Sequence, residues 1–193
     1  MGNAKPFVSD VTELRQRARR HIEQGAVTEG YQADRESVLR ILNDALATEI
    51  VCVLRYKRHY FMAAGIHAGA VADEFLEHAT AEQEHADTIA ERIIQLGGEP
   101  DLNPSSLTGR SHSEYVEGKG LLEMIREDLV AERIVIESYS EMIRYLGDDD
   151  PTTRRLLEKI LADEEDHAND LKTLIETLGK DEHEKPEKSG KQR

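Results

Sequence analysis

One pattern of glutamate, tyrosine and histidine occurs twice in this chain of 193 residues, once in each half. The two copies are Glu49, Tyr56, Glu82 and His85, followed by Glu132, Tyr139, Glu164 and His167. In both copies the tyrosine lies seven residues after the first glutamate, and the histidine lies three residues after the second. The two glutamates are 33 residues apart in one copy and 32 in the other. This agreement places the repeated residues at equivalent positions in two matching halves of one fold.

The residue types and spacing of this repeat predict a site for two metal ions. Residues three apart share one face of a helix, so each Glu-x-x-His pair can bind one centre, and each lone glutamate adds a carboxylate from another helix. Four carboxylates and two imidazoles suit Fe(II) or Mn(II). Without cations, four buried carboxylates at close quarters would have raised pKa values. We therefore expect two ions, about 3.5–4 Å apart, bridged by Glu82 and Glu164.

Hydrophobic spacing and helix-ending signals predict four long helices. These helices cover about residues 34–64, 71–96, 119–146 and 151–178. Residues 97–118, which include Pro100 and Pro104, are expected to form a long loop. Short connections make antiparallel neighbours, and a long connection can carry the chain along the bundle. The predicted fold class is therefore all-α, a four-helix bundle with one long crossover.

The predicted bundle occupies residues 34–178 and is flanked by two different segments. Residues 1–33 are expected to be an N-terminal extension with a short helix over residues 10–24. Residues 179–193 have no apolar face and are expected to be a disordered polar tail.

Charge and apolar content narrow the classes of function. The formal net charge is −14, and residues 34–178 alone have a net charge of −16, which repels nucleic acid and attracts cations. A basic stretch at residues 15–21 leaves DNA binding open, although a solvated or intersubunit helix is the favoured interpretation.

No apolar run approaches the roughly 20 residues that span a bilayer. With one cysteine, Cys52, and no signal-peptide pattern, we expect a soluble cytoplasmic protein without membrane contact.

Several residues near the repeat have two interpretations. Tyr56 and Tyr139 either hydrogen-bond a metal ligand or pack in the bundle, and Tyr56 is the stronger candidate for a ligand contact. His78 either belongs to an access route for ions or is an ordinary solvated or hydrogen-bonded histidine, which is the favoured interpretation. Asp128 and Asp163 are expected on cavity or solvent faces.

These motifs resemble those of the ferritin superfamily, in particular bacterioferritins and the Dps-like mini-ferritins, over residues 34–178. The resemblance implies a ferritin-like bundle with a di-iron ferroxidase centre within each subunit. It implies that Glu82 and Glu164 bridge two irons, with Glu49 and His85, and Glu132 and His167, as terminal ligands. Manganese or zinc are possible substitutes for iron. The implied function is oxidation of Fe(II) by O₂ or H₂O₂ and storage of Fe(III) inside a homo-oligomeric shell.

Two departures from the bacterioferritin pattern change what we expect. Gln83 stands where bacterioferritins have the methionine that binds haem, so we expect no haem. Ferritins and bacterioferritins end in a short fifth helix that packs in 24-chain shells, whereas residues 179–193 are hydrophilic and include Pro186. This tail favours a 12-chain shell, with the 24-chain shell as the alternative.

Three other functions are compatible with the sequence. A dimanganese catalase or a rubrerythrin-like peroxidase would use the same bundle. A DNA-protecting protein of the Dps type would use the basic N-terminal arm. A metal-free helical bundle for protein interaction would require the six repeated ligand residues to be incidental.

Overall fold

The computed structural model describes residues 10–65 and 68–183, which contain six helices and one 3₁₀ turn. The helices are α1 (Val11–Arg17), α2 (Arg35–Met62), α3 (Ala68–Gln95), α4 (Pro104–Arg110), α5 (Leu121–Leu146) and α6 (Pro151–His183), and the turn is Ile22–Gln24. No strand occurs in these two ranges. The predicted all-α fold class is confirmed, with α2, α3, α5 and α6 as the four long helices. None of the described helices is long and apolar enough to cross a membrane.

The four long helices form two antiparallel pairs. A short connection joins α2 to α3, and another joins α5 to α6, so each pair packs side by side. The longer connection at residues 96–120 links the two pairs. Further contacts between α2 and α5, and between α3 and α6, close the bundle.

The interior contains two apolar clusters with a polar layer between them. On α3, Glu82 lies between Ala79 of one cluster and Ala86 of the other. On α6, Ile160 and Leu171 belong to different clusters, and the second Glu-x-x-His motif lies between them. The apolar contacts above and below this layer therefore fix the positions of the helices that carry the repeated residues.

The crossover contains a short helix that was expected to be loop. Helix α4 begins after Asn103, whose side chain accepts a hydrogen bond from the Ser105 backbone N–H at 3.0 Å, and Pro104 occupies its first position. Leu107 is buried against Ala47. A cap and one buried apolar contact stabilise this single helix of seven residues, which is too short for a clear periodic signal.

A buried ion-pair network attaches the rest of the crossover to the bundle. The Arg55 side chain donates to Asp128 at 2.8 Å, to the Ser113 hydroxyl at 3.0 Å and to the Glu114 carbonyl at 2.8 Å. The His59 ring contacts the second oxygen of Asp128 at 2.7 Å. Asp128 is therefore fully buried between two basic side chains, and the expectation that it faces a cavity or solvent is wrong. Its charge is stabilised by Arg55, which the sequence pattern did not link to it.

A second buried network holds the start of α6 and the segment that precedes α2. The Arg92 guanidinium donates to both oxygens of Asp150 at 2.9 and 3.1 Å. The Tyr31 hydroxyl donates to the same carboxylate at 2.9 Å, and the Thr153 backbone N–H donates to it at 2.9 Å. Asp150 thus caps α6 and joins three parts of the chain.

The ends of the predicted terminal helices differ from those in the structure. Instead of one helix over residues 10–24, α1 ends at Arg17 and a separate 3₁₀ turn follows, because the apolar residues of this segment have no core to pack against. Helix α6 continues to His183, past the predicted end at Leu178. Gly179 does not end the helix, because glycine within a helix costs only about 1 kcal/mol relative to alanine. The predicted disorder of residues 184–193 lies outside the described residues.

Two glycines end α3 where the sequence predicts its end. Gly97 has a φ of +74°, a left-handed conformation that favours glycine, and the Gly98 N–H donates to the Ile93 carbonyl at 2.9 Å. A Cβ on Gly98 would lie 2.4 Å from the Leu39 side chain. This close approach lets the end of α3 pack against α2.

Candidate metal centre

All six repeated ligand residues point into the middle of the bundle, one or two from each long helix. Helices α2 and α5 contribute one glutamate each, and α3 and α6 contribute one Glu-x-x-His pair each, because residues three apart share a helix face. The six residues are Glu49, Glu82, His85, Glu132, Glu164 and His167. The four glutamates are fully buried, with exposed fractions of 0%.

The first ligand group surrounds the His85 ring. Its Nδ1 lies 3.1 Å from Glu164 Oε1, 3.5 Å from Glu49 Oε2 and 3.6 Å from Glu82 Oε2. Ligand atoms of these four residues all lie within 4.8 Å of one another. The opposite ring nitrogen, Nε2, lies 3.3 Å from Asp163 Oδ2. A carboxylate at Nε2 fixes the ring orientation and leaves the Nδ1 lone pair for a cation.

The second ligand group surrounds the His167 ring and overlaps the first. Nδ1 of His167 lies 3.2 Å from Glu164 Oε2 and 3.6 Å from Glu82 Oε1. Glu132 completes this group, and its four ligand atoms also lie within 4.8 Å of one another. Glu82 and Glu164 belong to both groups and present one oxygen to each histidine. The structure thus brings together all six residues in two clusters that share two carboxylates.

The two tyrosines of the repeat cross between the halves of the bundle. Tyr56, on the same helix as Glu49, donates its hydroxyl hydrogen to Glu132. Tyr139, on the same helix as Glu132, donates its hydroxyl hydrogen to Glu49. Both tyrosines are fully buried. Tyr56 was expected to be the stronger candidate for a ligand contact, whereas in the structure Tyr139 makes an equivalent contact.

His78 lies next to the second ligand group and is almost fully buried. Its ring stacks on the His167 ring with centroids 4.1 Å apart, and its Nδ1 lies 3.2 Å from the Tyr56 hydroxyl oxygen. Burial and the neighbouring His167 lower the pKa of His78 to about 3, so the ring is neutral at pH 7. These contacts agree with the favoured interpretation of His78 as a hydrogen-bonded histidine. Its position beside the candidate centre could be seen only in the structure.

The protonation of the cluster follows from burial and crowding. Burial and the charges of Glu82 and Glu164 raise the pKa of Glu49, and burial with the same two charges raises the pKa of Glu132. Burial alone would lower the pKa of His167, but its contacts with Glu164 and Glu82 outweigh this effect and raise the pKa to about 9. Without cations, protons must therefore partly neutralise the cluster at pH 7.

Unpartnered atoms test whether this donor set fits metal ions. Among the described residues, most of the buried side-chain atoms without a hydrogen bond belong to this cluster. They are Glu49 Oε2, Glu82 Oε1 and Oε2, His85 Nδ1, Glu132 Oε2 and Glu164 Oε1. Buried polar atoms without partners are costly, and oxygen and imidazole nitrogen atoms are the ligands that first-row metals prefer. The residues present therefore fit a pair of transition-metal ions.

Comparison with known proteins points to one family. The family described as ferritin-like domain matches residues 39–180. A bacterioferritin of Desulfovibrio desulfuricans is 30% identical over 152 residues, which cover 78% of this chain and 79% of that protein.

Solved structures agree with this match. The dodecameric thioferritin of Bacteroides fragilis, a bacterioferritin-related protein, superposes with a TM-score of 0.76 and 29% identity over 79% of this chain and 92% of that chain. The bacterioferritin of D. desulfuricans, solved with its diiron site in different catalytic states, superposes with a TM-score of 0.67 and 26% identity over 76% of this chain and 82% of that chain.

Proposed function

This chain belongs to the ferritin-like domain family, and on that premise we propose that it is an iron-storage and detoxification protein with ferroxidase activity. The observation that supports this function best is the overlap of two buried ligand groups that share Glu82 and Glu164. Two groups with shared carboxylates suit a pair of neighbouring ions, whereas a single structural ion needs only one closed set of ligands.

We assign a role to each repeated ligand residue. Glu49 and His85 would hold one iron, Glu132 and His167 would hold the other, and Glu82 and Glu164 would bridge them. When bound, the iron pair supplies the electron transfer from Fe(II) to O₂ or H₂O₂. The protein positions the ligands and excludes bulk water from them, since all four carboxylates are buried.

The hydrogen-bonding residues around the centre orient its ligands. The Tyr56 and Tyr139 hydroxyls occupy one oxygen of Glu132 and of Glu49, so that the other oxygen of each carboxylate remains for an ion. Asp163 orients His85 through Nε2. We propose a homo-oligomeric shell around stored Fe(III), with twelve chains favoured by the hydrophilic residues 179–193 and by the similarity to a dodecameric relative.

Anaerobic titration with Fe(II) tests the proposed centre. We expect the wild-type protein to bind two ions per chain at the centre, and we expect Glu49→Ala to lose one of them because one terminal carboxylate is gone. Glu36→Ala, which removes an exposed glutamate from the same helix, should leave the stoichiometry unchanged. Equal stoichiometry in the Glu49→Ala and wild-type proteins would contradict the assignment.

Addition of oxidant to the loaded protein separates ferroxidase from the related enzymes. We expect Fe(II) to be oxidised by O₂ or H₂O₂ and Fe(III) to remain with the protein. Sustained release of O₂ from H₂O₂ by the manganese-loaded protein, without retention of Fe(III), would instead indicate a catalase.

A further inference from the structure

A second group of possible metal ligands lies outside the candidate centre, on the surface that α3 and α6 share. Glu74 and His78 come from α3, and Asp170 comes from α6. One ligand atom from each of these three residues lies within 4.8 Å of the other two. Asp170 is exposed, the Glu74 side chain is 28% exposed, and the His78 side chain is 2% exposed. The group therefore leads from solvent to a buried imidazole.

The buried imidazole of His78 presents one ring nitrogen to this group and the other to Tyr56. The single hydroxyl hydrogen of Tyr56 is donated to Glu132. His78 Nδ1 lies 3.2 Å from the Tyr56 hydroxyl oxygen, so this ring nitrogen faces the candidate centre. The other ring nitrogen of His78, Nε2, lies 3.3 Å from the Glu74 Oε1 atom.

The surface group combines one imidazole nitrogen with two carboxylates. The ligand atoms of Glu74, His78 and Asp170 lie close enough together to share one ion. A cation coordinated by the three side chains would bind the buried nitrogen, and the two carboxylates would balance its charge. One imidazole nitrogen and two carboxylates suit a first-row divalent transition ion.

The same histidine connects the surface group to the candidate centre. Its ring stacks on that of His167, with centroids 4.1 Å apart. Ligand atoms of His78, Glu132 and His167 also lie within 4.8 Å of one another. His78 is thus a member of a ligand group on the surface side and of another on the centre side.

We propose that Glu74, His78 and Asp170 form a third cation site, which holds a divalent transition ion such as Fe(II) before the ion reaches the candidate centre. The delivery role rests on the proposed function, whereas binding of the cation does not. Chains of ligands that begin at the surface raise the local concentration of cations and their rate of association. Because His78 borders both groups, an ion at the surface site is one side chain away from the centre.

Cobalt binding to the metal-free, full-length protein tests the third site. We expect equilibrium dialysis against Co(II), under anaerobic conditions, to give three ions per wild-type chain and two in the double variant Glu74→Gln, Asp170→Asn. Asp73→Asn, which removes an exposed carboxylate from the same helix, should retain three. Equal stoichiometry in the double variant and the wild type would overturn the proposal.

Crystals soaked in Co(II) separate failure of this site from failure of the candidate centre. We expect an anomalous peak between Glu74, His78 and Asp170 in the wild type and in Glu49→Ala. A peak there without peaks at the centre would retain the third site and reject the proposed di-iron function. Peaks at the centre alone would reject the third site and retain the proposed function.

Rapid mixing with Fe(II) and O₂ tests the delivery role. At low Fe(II), we expect the double variant to oxidise iron on the order of tenfold more slowly than Asp73→Asn. The number of ions bound at the centre should be the same in both proteins. Equal initial rates would reject delivery through this site.

Discussion

At the scale of single residues, the hydroxyl groups of Tyr56 and Tyr139 position two of the carboxylates of the candidate centre. The hydroxyls donate to one oxygen of Glu132 and of Glu49, and the second oxygen of each carboxylate has no hydrogen-bond partner. A carboxylate fixed in this way loses little freedom when it binds a cation. Such contacts around metal ligands typically change affinity by 10–100-fold.

Tyr139→Phe tests this role directly. The substitution removes the hydroxyl that binds Glu49 and leaves the ring, so we expect the affinity for one of the two ions to fall by roughly 10–100-fold. Co(II) titration of the metal-free protein measures this change. Tyr145→Phe on the same helix removes an exposed hydroxyl and should bind both ions as the wild type does. Equal affinities in the two variants would show that the Glu49 contact has no effect on binding.

At the scale of elements, buried charges attach the connections to the long helices. Arg55 and His59 of α2 both contact Asp128 of α5, and Arg55 also holds the crossover backbone at Glu114. Removal of one partner from a buried ion pair leaves an uncompensated charge, which costs more than the pair itself contributes. The crossover is therefore most sensitive at Arg55.

Arg55→Ala should lower the free energy of unfolding by about 3–5 kcal/mol, because Asp128 stays buried with one basic partner fewer. Urea denaturation of the metal-free protein measures the difference. Arg58→Ala, on the same helix, removes a more exposed pair with Glu117 and should cost less than about 1 kcal/mol. Similar losses in the two variants would contradict the dominant role of the buried pair.

The Asp150 network predicts a dependence of stability on pH. Burial alone would raise the pKa of Asp150, but hydrogen bonds from Thr153 and Tyr31 and the charge of Arg92 outweigh it and lower the pKa below its usual value of 3.8. The stabilisation is therefore present above about pH 4 and is lost as the pH falls through the lowered pKa.

Asp150→Asn should accordingly destabilise the metal-free protein by roughly 1.5–3 kcal/mol at pH 7, because Arg92 loses its charged partner. The difference from the wild type should shrink as the pH falls below 3.8. Urea denaturation at pH 7 and at a pH below 3.8 measures this difference in the free energy of unfolding. Asp148→Asn is the control, because that side chain is 98% exposed. A difference that stays constant down to pH 2 would contradict a lowered pKa.

The long helices could be predicted from the sequence, whereas most contacts between different helices could not. The four long helices were predictable because their apolar residues recur over many turns, and the clustering of the six repeated Glu and His residues was predictable because their pattern recurs in both halves. Helix α4 was not, since one cap and the burial of Leu107 stabilise it. The partners of Tyr139 and Asp128 were also missed, because each lies on another helix and depends on how the helices cross.

At the scale of the whole molecule, the acidic charge of the bundle and the number of chains in the proposed shell both affect how much iron the protein can take up. Residues 34–178 have a net charge of −16, which concentrates cations around the bundle. The number of chains in the shell sets the volume available for ferric iron.

Native mass spectrometry should give a particle of about twelve chains of 21.8 kDa. We expect this size because residues 179–193 are hydrophilic and one similar structure is dodecameric. Removal of residues 184–193 should leave the mass per particle at about twelve chains. A particle of about 24 chains would contradict the inference from the tail.

The crossed tyrosines have a consequence for how the two halves depend on each other. If the backbone were cut between α4 and α5, each fragment would carry a glutamate whose phenol partner resides on the other fragment. Neither fragment alone would offer a complete environment for even one ion. Reassociation of the severed halves and recovery of metal retention would therefore be a single cooperative event.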